Sequence, residues 1–287
     1  MSSSALRSDL PVATAAVPVA DYLRRIGFQG ERTPTLATLT EIQHRHTSEI
    51  PFESLNPFLG EDVPLALPAL TGKLIYQRRG GYCYEHNLLL KSVLEQLGFQ
   101  VRGLAARVYW GGQGEAPAAT HMLLLVMLRG VPYLVDAGFG ALTPSAPLRI
   151  DATLAQRSFH EPYRVQHQLG IRTLQALIGD RWETLYTFDL REQWLSDYEI
   201  TNWYLSHHPA SQFVTSLIAA RNDNGHRHIL LNQRYSVRYP DGRVERRQLE
   251  EPDDVLVLLR DVFRIDVPSP ERVRARLAQR QAVGSRN

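Results

Sequence analysis

Residues Arg79-Gly80-Gly81-Tyr82-Cys83-Tyr84-Glu85-His86-Asn87 set the chain's single cysteine between a double glycine and the start of an apolar-faced helix. A thiol in the first turn of a helix meets unpaired backbone N–H groups and the positive end of the macrodipole, and both favour the nucleophilic thiolate. The same N–H groups suit the oxyanion of a tetrahedral intermediate. A lone cysteine is more often a small buried hydrophobe, but burial alone does not require flanking glycines, which let a second backbone or a ligand come close. One unrepeated Arg-Gly-Gly inside a folded segment is not an RNA-binding element.

Ten histidines compete to be the base for this thiol, and a hairpin register chooses among them. Met122 to Leu128 and Val131 to Asp136 are apolar runs either side of Arg129-Gly130, which reads as a two-residue hairpin turn. Leu128 then faces Val131 and Leu123 faces Asp136, so His121, two residues along the face of Leu123, is a diagonal neighbour of Asp136. Pro132 falls opposite Met127, at a non-hydrogen-bonded position where its missing N–H is tolerated. Alone, His121 reads as a polar strand start and Asp136 as a turn former before Gly138. Taken with a helix-tip cysteine, they supply nucleophile, base and orienter: Cys83, His121 and Asp136. His86 begins the apolar helix and reads as structural. His207-His208 and His226 with His228 lack supporting cysteine or carboxylate spacing, so no metal is assigned. Glu53 and Arg79 flank the active elements and suggest a partly buried ion pair holding the cysteine loop.

The elements that must position these residues are helical first and strand-rich afterwards. A short helix from Asp21 stops at Gly27. A second follows Thr33-Pro34-Thr35, with Leu36, Leu39, Ile42 and His46 on one face, and ends before Pro51. The third runs from about Cys83 to Leu97 and stops at Gly98. From Phe99 the period becomes two, with strands at Gln100 to Trp110, Met122 to Leu128, Val131 to Asp136, Tyr163 to Gln168 and Trp182 to Asp189, which suits a small barrel or a sandwich. Gly111-Gly112-Gln113-Gly114 reads as a hairpin tip and not as a phosphate loop, because no helix follows it. Past Asn202 come a helix around Phe213 to Arg221, strands at His228 to Leu231 and Tyr235 to Tyr239, the turn Pro240-Asp241-Gly242, and a helix from Asp253 to Phe263. The basic tail reads as a solvated helix fading to disorder, and residues 1 to 17 as a loose arm.

Composition bounds the remaining choices. At 287 residues, 44% hydrophobic and 22% charged, the chain has the make-up of an ordinary globular protein with two or three subdomains. A net charge of +2 excludes the one-sided basicity of a nucleic-acid binder. No apolar run approaches the roughly 18 residues that span a bilayer, so no membrane partner is expected. One cysteine excludes an internal disulfide and fits a reducing cytoplasm.

Over nearly its whole length, from Asp21-Tyr22-Leu23-Arg24-Arg25-Ile26-Gly27 to the last helix, the chain resembles the arylamine N-acetyltransferases. The segment around Cys83 is similar to the family's active-cysteine motif, Thr120-His121 to its histidine segment, and Val135-Asp136-Ala137-Gly138-Phe139-Gly140 to its aspartate segment. Pro51-Phe52-Glu53-Ser54-Leu55-Asn56 resembles the early motif, although Ser54 stands where the family usually has asparagine. Asn202-Trp203-Tyr204 through His208-Pro209 and Phe213 match a further segment.

The resemblance implies an α+β fold in three parts with a cysteine-protease-like triad: a helical bundle carrying the cysteine over residues 1–98, a β-barrel carrying His and Asp over 99–201, and an α/β lid over 202–287. It also implies acetyl-coenzyme A as co-substrate with no bound cofactor, and arylamines, arylhydrazines or hydrazides as acceptors. Phe52, Val108, Trp110, Phe139 and Phe213 would then line the donor and acceptor cleft, and a homodimer stays open. The expected chemistry is ping-pong acetyl transfer through Cys83. An amide synthase of the same fold using another acyl thioester, a cysteine hydrolase, and a binding module with an unused triad are the alternatives.

Overall fold

A computed structural model describes residues 16–112, 117–223 and 225–284. Its N-terminal third is helical because apolar residues recur at helical spacing behind good start signals. Helix α1 (Val19–Arg25) precedes α2 (Leu36–Glu49), which opens where the Thr35 hydroxyl accepts from the Thr38 N–H at 3.2 Å. Leu39, Ile42 and His46 of α2 are buried, whereas Leu36, expected on the same face, is exposed in the first turn. After β1 (Phe52–Glu53), the short helices α3 (Leu55–Phe58) and α4 (Leu67–Leu70) and a π-helical turn (Thr71–Tyr76) lead to α5 (Cys83–Gln96). Most of the expected arm, and Gln113 and Gly114 of the expected hairpin tip, lie outside the described residues. Val17, the arm's last residue, is packed in the core.

Seven strands follow: β2 (Gln100–Val108), β3 (His121–Leu128), β4 (Val131–Val135), β5 (Leu148–Arg149), β6 (Tyr163–Gln168), β7 (Ile171–Ile178) and β8 (Arg181–Phe188). They form one sheet in the order β5-β4-β3-β2-β8-β7-β6. Gln156 stitches its two edges into a nearly closed barrel. The Gln156 side chain exchanges hydrogen bonds with the Arg149 backbone at 2.7 and 2.9 Å, and its backbone does the same with Tyr163 at 2.7 and 2.9 Å. The β3–β4 hairpin has the expected register, from Leu128 opposite Val131 to Leu124 opposite Val135, around a turn with φ of 50° at Arg129 and 80° at Gly130. Strand β3 is buried on both faces. Leu123 and Leu125 point into the barrel, while Met122, Leu124 and Val126 pack against the helices with Leu89, Leu90 and Val93 of α5. Odd-numbered His121 therefore falls on the barrel side.

The last third contains α6 (Leu195–His207), α7 (Gln212–Thr215), β9 (Ile218–Asp223), β10 (His226–Leu231), β11 (Arg234–Arg238), β12 (Val244–Gln248), α8 (Pro252–Asp261) and α9 (Pro270–Gly284). The helix expected from Phe213 to Arg221 is replaced by one turn and a strand. The Ser54 hydroxyl takes the Ile218 N–H at 2.9 Å, and Ala219 and Ala220 pair with Glu53 and Phe52, so pairing with β1 overrides the helical preference of alanine. β1 thus becomes the edge of the C-terminal sheet, ordered β1-β9-β10-β11-β12. The basic tail is no solvated helix either, because Val273 and Leu277 of α9 are buried with Leu55 and Phe58 of α3 and with Val255 and Leu259 of α8. Among the described residues no helix is long and apolar enough to cross a membrane.

That burial yields a stability prediction. Leu277→Ala should lower unfolding free energy by about 2–4 kcal/mol, since it opens a cavity in a closed core. Urea denaturation checks it, and a loss below about 0.5 kcal/mol, the usual range of surface substitutions, would place α9 outside the cooperative core.

Candidate active site

Cys83 is the first residue of α5, and its helix start is fixed from several sides. Glu85, at the third helical position, accepts the Tyr82 N–H at 3.0 Å and pairs with Lys73 at 2.7 Å. Buried Arg79 contacts buried Glu53 at 2.6 Å and donates to Asn56 Oδ1 at 2.9 Å, so the suspected ion pair is present and tied to the double-glycine turn. Burial alone would raise the Glu53 pKa, but the Arg79 and Lys73 charges outweigh it and hold the carboxyl below its ordinary value. Glu85 is pushed the other way, because burial is reinforced by the Glu53 charge and only partly offset by Lys73.

The barrel supplies the other two groups. His121 Nε2 lies 2.7 Å from Asp136 Oδ2, both side chains being buried, and Cys83 is close enough to the same ring to favour its protonated form. With Nε2 committed to the carboxylate, Nδ1 is the nitrogen left for the thiol. Cys83 Sγ also sits 3.8 Å from the Thr120 carbonyl, which accepts the Tyr84 hydroxyl at 3.0 Å. Asp136 receives four donors: His121 and the Tyr186 hydroxyl (3.0 Å) on Oδ2, and Asn87 Nδ2 (3.1 Å) and the Gly138 N–H (2.9 Å) on Oδ1. Burial favours the neutral acid, yet these donors and the His121 charge hold Asp136 ionised, below its ordinary pKa. Burial likewise favours neutral His121, but the Asp136 carboxylate outweighs it and raises the imidazole to about 10.

Gly138 explains how closely barrel and helix meet. A Cβ there would stand 2.6 Å from Cys83 Cα and 3.0 Å from the Cys83 carbonyl oxygen, so any side chain would force the two elements apart. Asn87 and Tyr186 complete the carboxylate's shell and were not singled out from sequence. Asn87 ends the cysteine segment, four residues past Cys83 and hence on the same helix face, which was the available signal. Nothing in sequence places Tyr186 there, since its position depends on how the barrel closes.

The five residues matched to the cleft fall into two groups. The Phe139 ring meets His121 edge-on at 5.2 Å and Tyr186 at 5.1 Å. Phe52 and Phe213 are 6.0 Å apart, and Gly140, next to Phe139, faces the Phe52 ring. Val108 pairs with Tyr186 across β8, two residues beyond Ala106, which faces His121. Trp110 follows at the strand end, with its N–H on the Leu185 carbonyl at 3.1 Å and 37% of its surface exposed. Ser54, the departure from the resemblance, uses its hydroxyl to anchor Ile218, five residues past Phe213.

Linkage gives this pair a pH signature. The folded His121 pKa lies above its unfolded value of 6.5, so its contribution to stability is complete below pH 6.5 and is lost as pH rises through about 10. Denaturation midpoints should therefore fall over that window more steeply for wild type than for His121→Gln. Parallel curves would mean that the ring is not held as imidazolium.

Comparison with known proteins places the chain among relatives of one kind. The model of a family described as N-acetyltransferase matches residues 35–272. An arylamine N-acetyltransferase of Mycolicibacterium smegmatis is 41% identical over 271 residues, spanning 92% of this chain and 98% of the relative. One from Escherichia coli is 34% identical, spanning 86% and 88%. The structure of the Mycobacterium marinum arylamine N-acetyltransferase in complex with CoA superposes with a TM-score of 0.88 at 40% identity, covering 91% of this chain and 98% of that one.

Proposed function

This chain belongs to the arylamine N-acetyltransferase family, and from that premise we propose that it moves acetyl groups from acetyl-coenzyme A to aromatic amines, hydrazines and hydrazides through an acetyl thioester on Cys83. The observation that carries the reading is the contact of His121 Nε2 with the buried Asp136 carboxylate at 2.7 Å, on a ring whose protonated form Cys83 also favours. An imidazolium held by a carboxylate favours a thiolate beside it.

In the first half-reaction the Cys83 thiolate attacks the thioester carbonyl, a new carbon–sulfur bond forms and the bond to coenzyme A breaks. His121 gives its proton to the departing thiolate and becomes neutral. Thioester exchange is close to isoenergetic, so the acetyl group remains activated. In the second half-reaction the amine nitrogen attacks the acetyl-cysteine, its proton passes to His121, and the Cys83 thiolate leaves beside a restored imidazolium. Aromatic amines are weak bases and mostly unprotonated near neutrality, which suits direct attack. Phe139, beside the His121 ring, and Phe52 with Phe213 are assigned to the acceptor wall, with Val108 and Trp110 along the rim where the acyl donor enters.

Acetyl-coenzyme A without acceptor should add one acetyl group to Cys83, detected by rapid-quench intact mass and peptide mapping, and an arylamine should remove it. Turnover of arylamine with no acetyl-Cys83 at any quench time would refute the covalent scheme.

A further inference from the structure

Behind the cysteine loop lies a chain of buried polar rings that the acetyl-transfer chemistry does not use. The Tyr22 hydroxyl is 2.8 Å from His46 Nδ1, His46 Nε2 is 2.8 Å from His86 Nδ1, and His86 Nε2 is 3.1 Å from the Pro51 carbonyl. All three side chains are fully buried, and they come from α1, α2 and α5. The carbonyl has no proton, so His86 Nε2 must donate to it. His86 Nδ1 then accepts, His46 Nε2 donates, and Tyr22 donates to His46 Nδ1, which fixes one direction for every hydrogen bond. Burial depresses both imidazoles, His86 to about 4 and His46 well below 6.5, in keeping with neutral rings. A proton added to His86 Nδ1 would set N–H against the His46 N–H, and one added to His46 Nδ1 would displace the bond that the Tyr22 hydroxyl donates.

The chain ends on the residue against which the nucleophile's turn packs. A Cβ at Gly80 would stand 1.9 Å from the Pro51 oxygen, so that carbonyl lies flat on the glycine. Next to it, the Glu53 N–H donates to the Gly81 carbonyl at 2.8 Å, and Phe52 bridges Gly81 in parallel register. The Phe52 ring runs parallel to His86, 2° apart in plane at 6.4 Å. The Pro51–Glu53 segment therefore carries the double-glycine turn on one side and a wall of the acceptor site on the other.

We propose that Tyr22, His46 and His86 form a one-way relay of neutral side chains that locks the Pro51 carbonyl, and through it the Gly80-Gly81 turn and Cys83, so that His46 and His86 are positioning residues for the thiol. The proposal rests on the reading of Cys83 as the nucleophile. His46 is the informative site, because it touches neither the turn nor the substrate. Without its proton donor His86 is free to take the other tautomer, which turns a lone pair towards the Pro51 oxygen.

Three measurements test the relay. Long-range 1H–15N spectra of the wild-type imidazoles at pH 7 should show His46 and His86 as neutral Nε2–H tautomers, and an Nδ1–H tautomer or a cationic ring at either position overturns the relay. His46→Leu should slow single-turnover acetylation ~10- to 100-fold, the usual cost of a reacting group displaced by about an ångström. Iodoacetamide alkylation of Cys83 should slow in step. His46→Gln, whose amide nitrogen reaches as far as Nε2, should stay within about threefold of wild type, a rescue that packing alone does not explain. If His46→Leu does not fold, His46→Asn, polar but too short to reach His86, replaces it with the same expectation. Folded His46→Leu or His46→Asn with wild-type acetylation and alkylation would overturn the positioning role. The alkylation and tautomer readouts do not depend on acetyl transfer, so they still test the relay if acetyl-Cys83 never forms.

Discussion

Asp136 is a carboxylate with no exposed surface, and the surrounding fold is arranged to keep it ionised. Four donors converge on it from β3, β8, α5 and the backbone just past β4. Removing one partner from a buried charge costs far more than a typical surface contact, so these four elements are constrained together. The barrel must close with β8 against β2 for Tyr186 to arrive, and α5 must lie across the barrel mouth for Asn87 to arrive. The same requirement brings Cys83 to His121, because Asn87 and Cys83 share one helix face. Gln43 of α2 adds a second tie by donating to the Asp136 backbone carbonyl at 3.2 Å and to Pro144 at 2.7 Å.

The helical part holds the thiol by different means. Four ionisable side chains, Glu53, Lys73, Arg79 and Glu85, pair with one another beneath the double-glycine turn. Lys73 comes from the π-helical turn just before that loop, which directs its ammonium at both carboxylates. On the opposite side, α6 closes over α5. Tyr198 donates to the Leu104 carbonyl at 3.1 Å, Tyr84 meets Thr201 at 2.7 Å, and Tyr82 bonds to Asn202. Cys83 is thus gripped by side chains from the first, second and last thirds of the chain.

Much of this was legible in sequence where local rules decide. The hairpin register followed from a two-residue turn and period-two alternation, and with it came the closeness of His121 to Asp136. The helix start at Cys83 followed from Gly80-Gly81 and the apolar face of Leu89, Leu90, Val93 and Leu94. Sequence reasoning failed where a distant partner overrides local preference. Ala219 and Ala220 read as helix until β1 offers them a strand to pair with. Val273 and Leu277 look sparse on a basic helix, yet α3 and α8 bury both. Helix α6 was missed because its outward face carries Ile200, Trp203 and Tyr204, all exposed, which blurs any amphipathic stripe. Strand β7 was missed because its alternation is short, with only Leu174 and Ala176 of its eight residues buried, and its pairing with β6 and β8 settles it as a strand.

The central claim, that the Asp136 carboxylate sustains an imidazolium beside a reactive thiol, is tested most directly with Asp136→Asn. The amide keeps the size of the side chain but donates where the carboxylate only accepts. Single-turnover acetylation of Cys83 should fall ~10²- to 10⁴-fold, the span between a thiol partly activated by its helix and a serine-type triad deprived of its aspartate. Thermal melting must show a folded variant, and the pH midpoint for Cys83 alkylation should rise as the imidazolium is lost. A folded Asp136→Asn protein that acetylates at the wild-type rate, with an unchanged alkylation profile, would contradict the account and reduce the site to Cys83 and His121 alone.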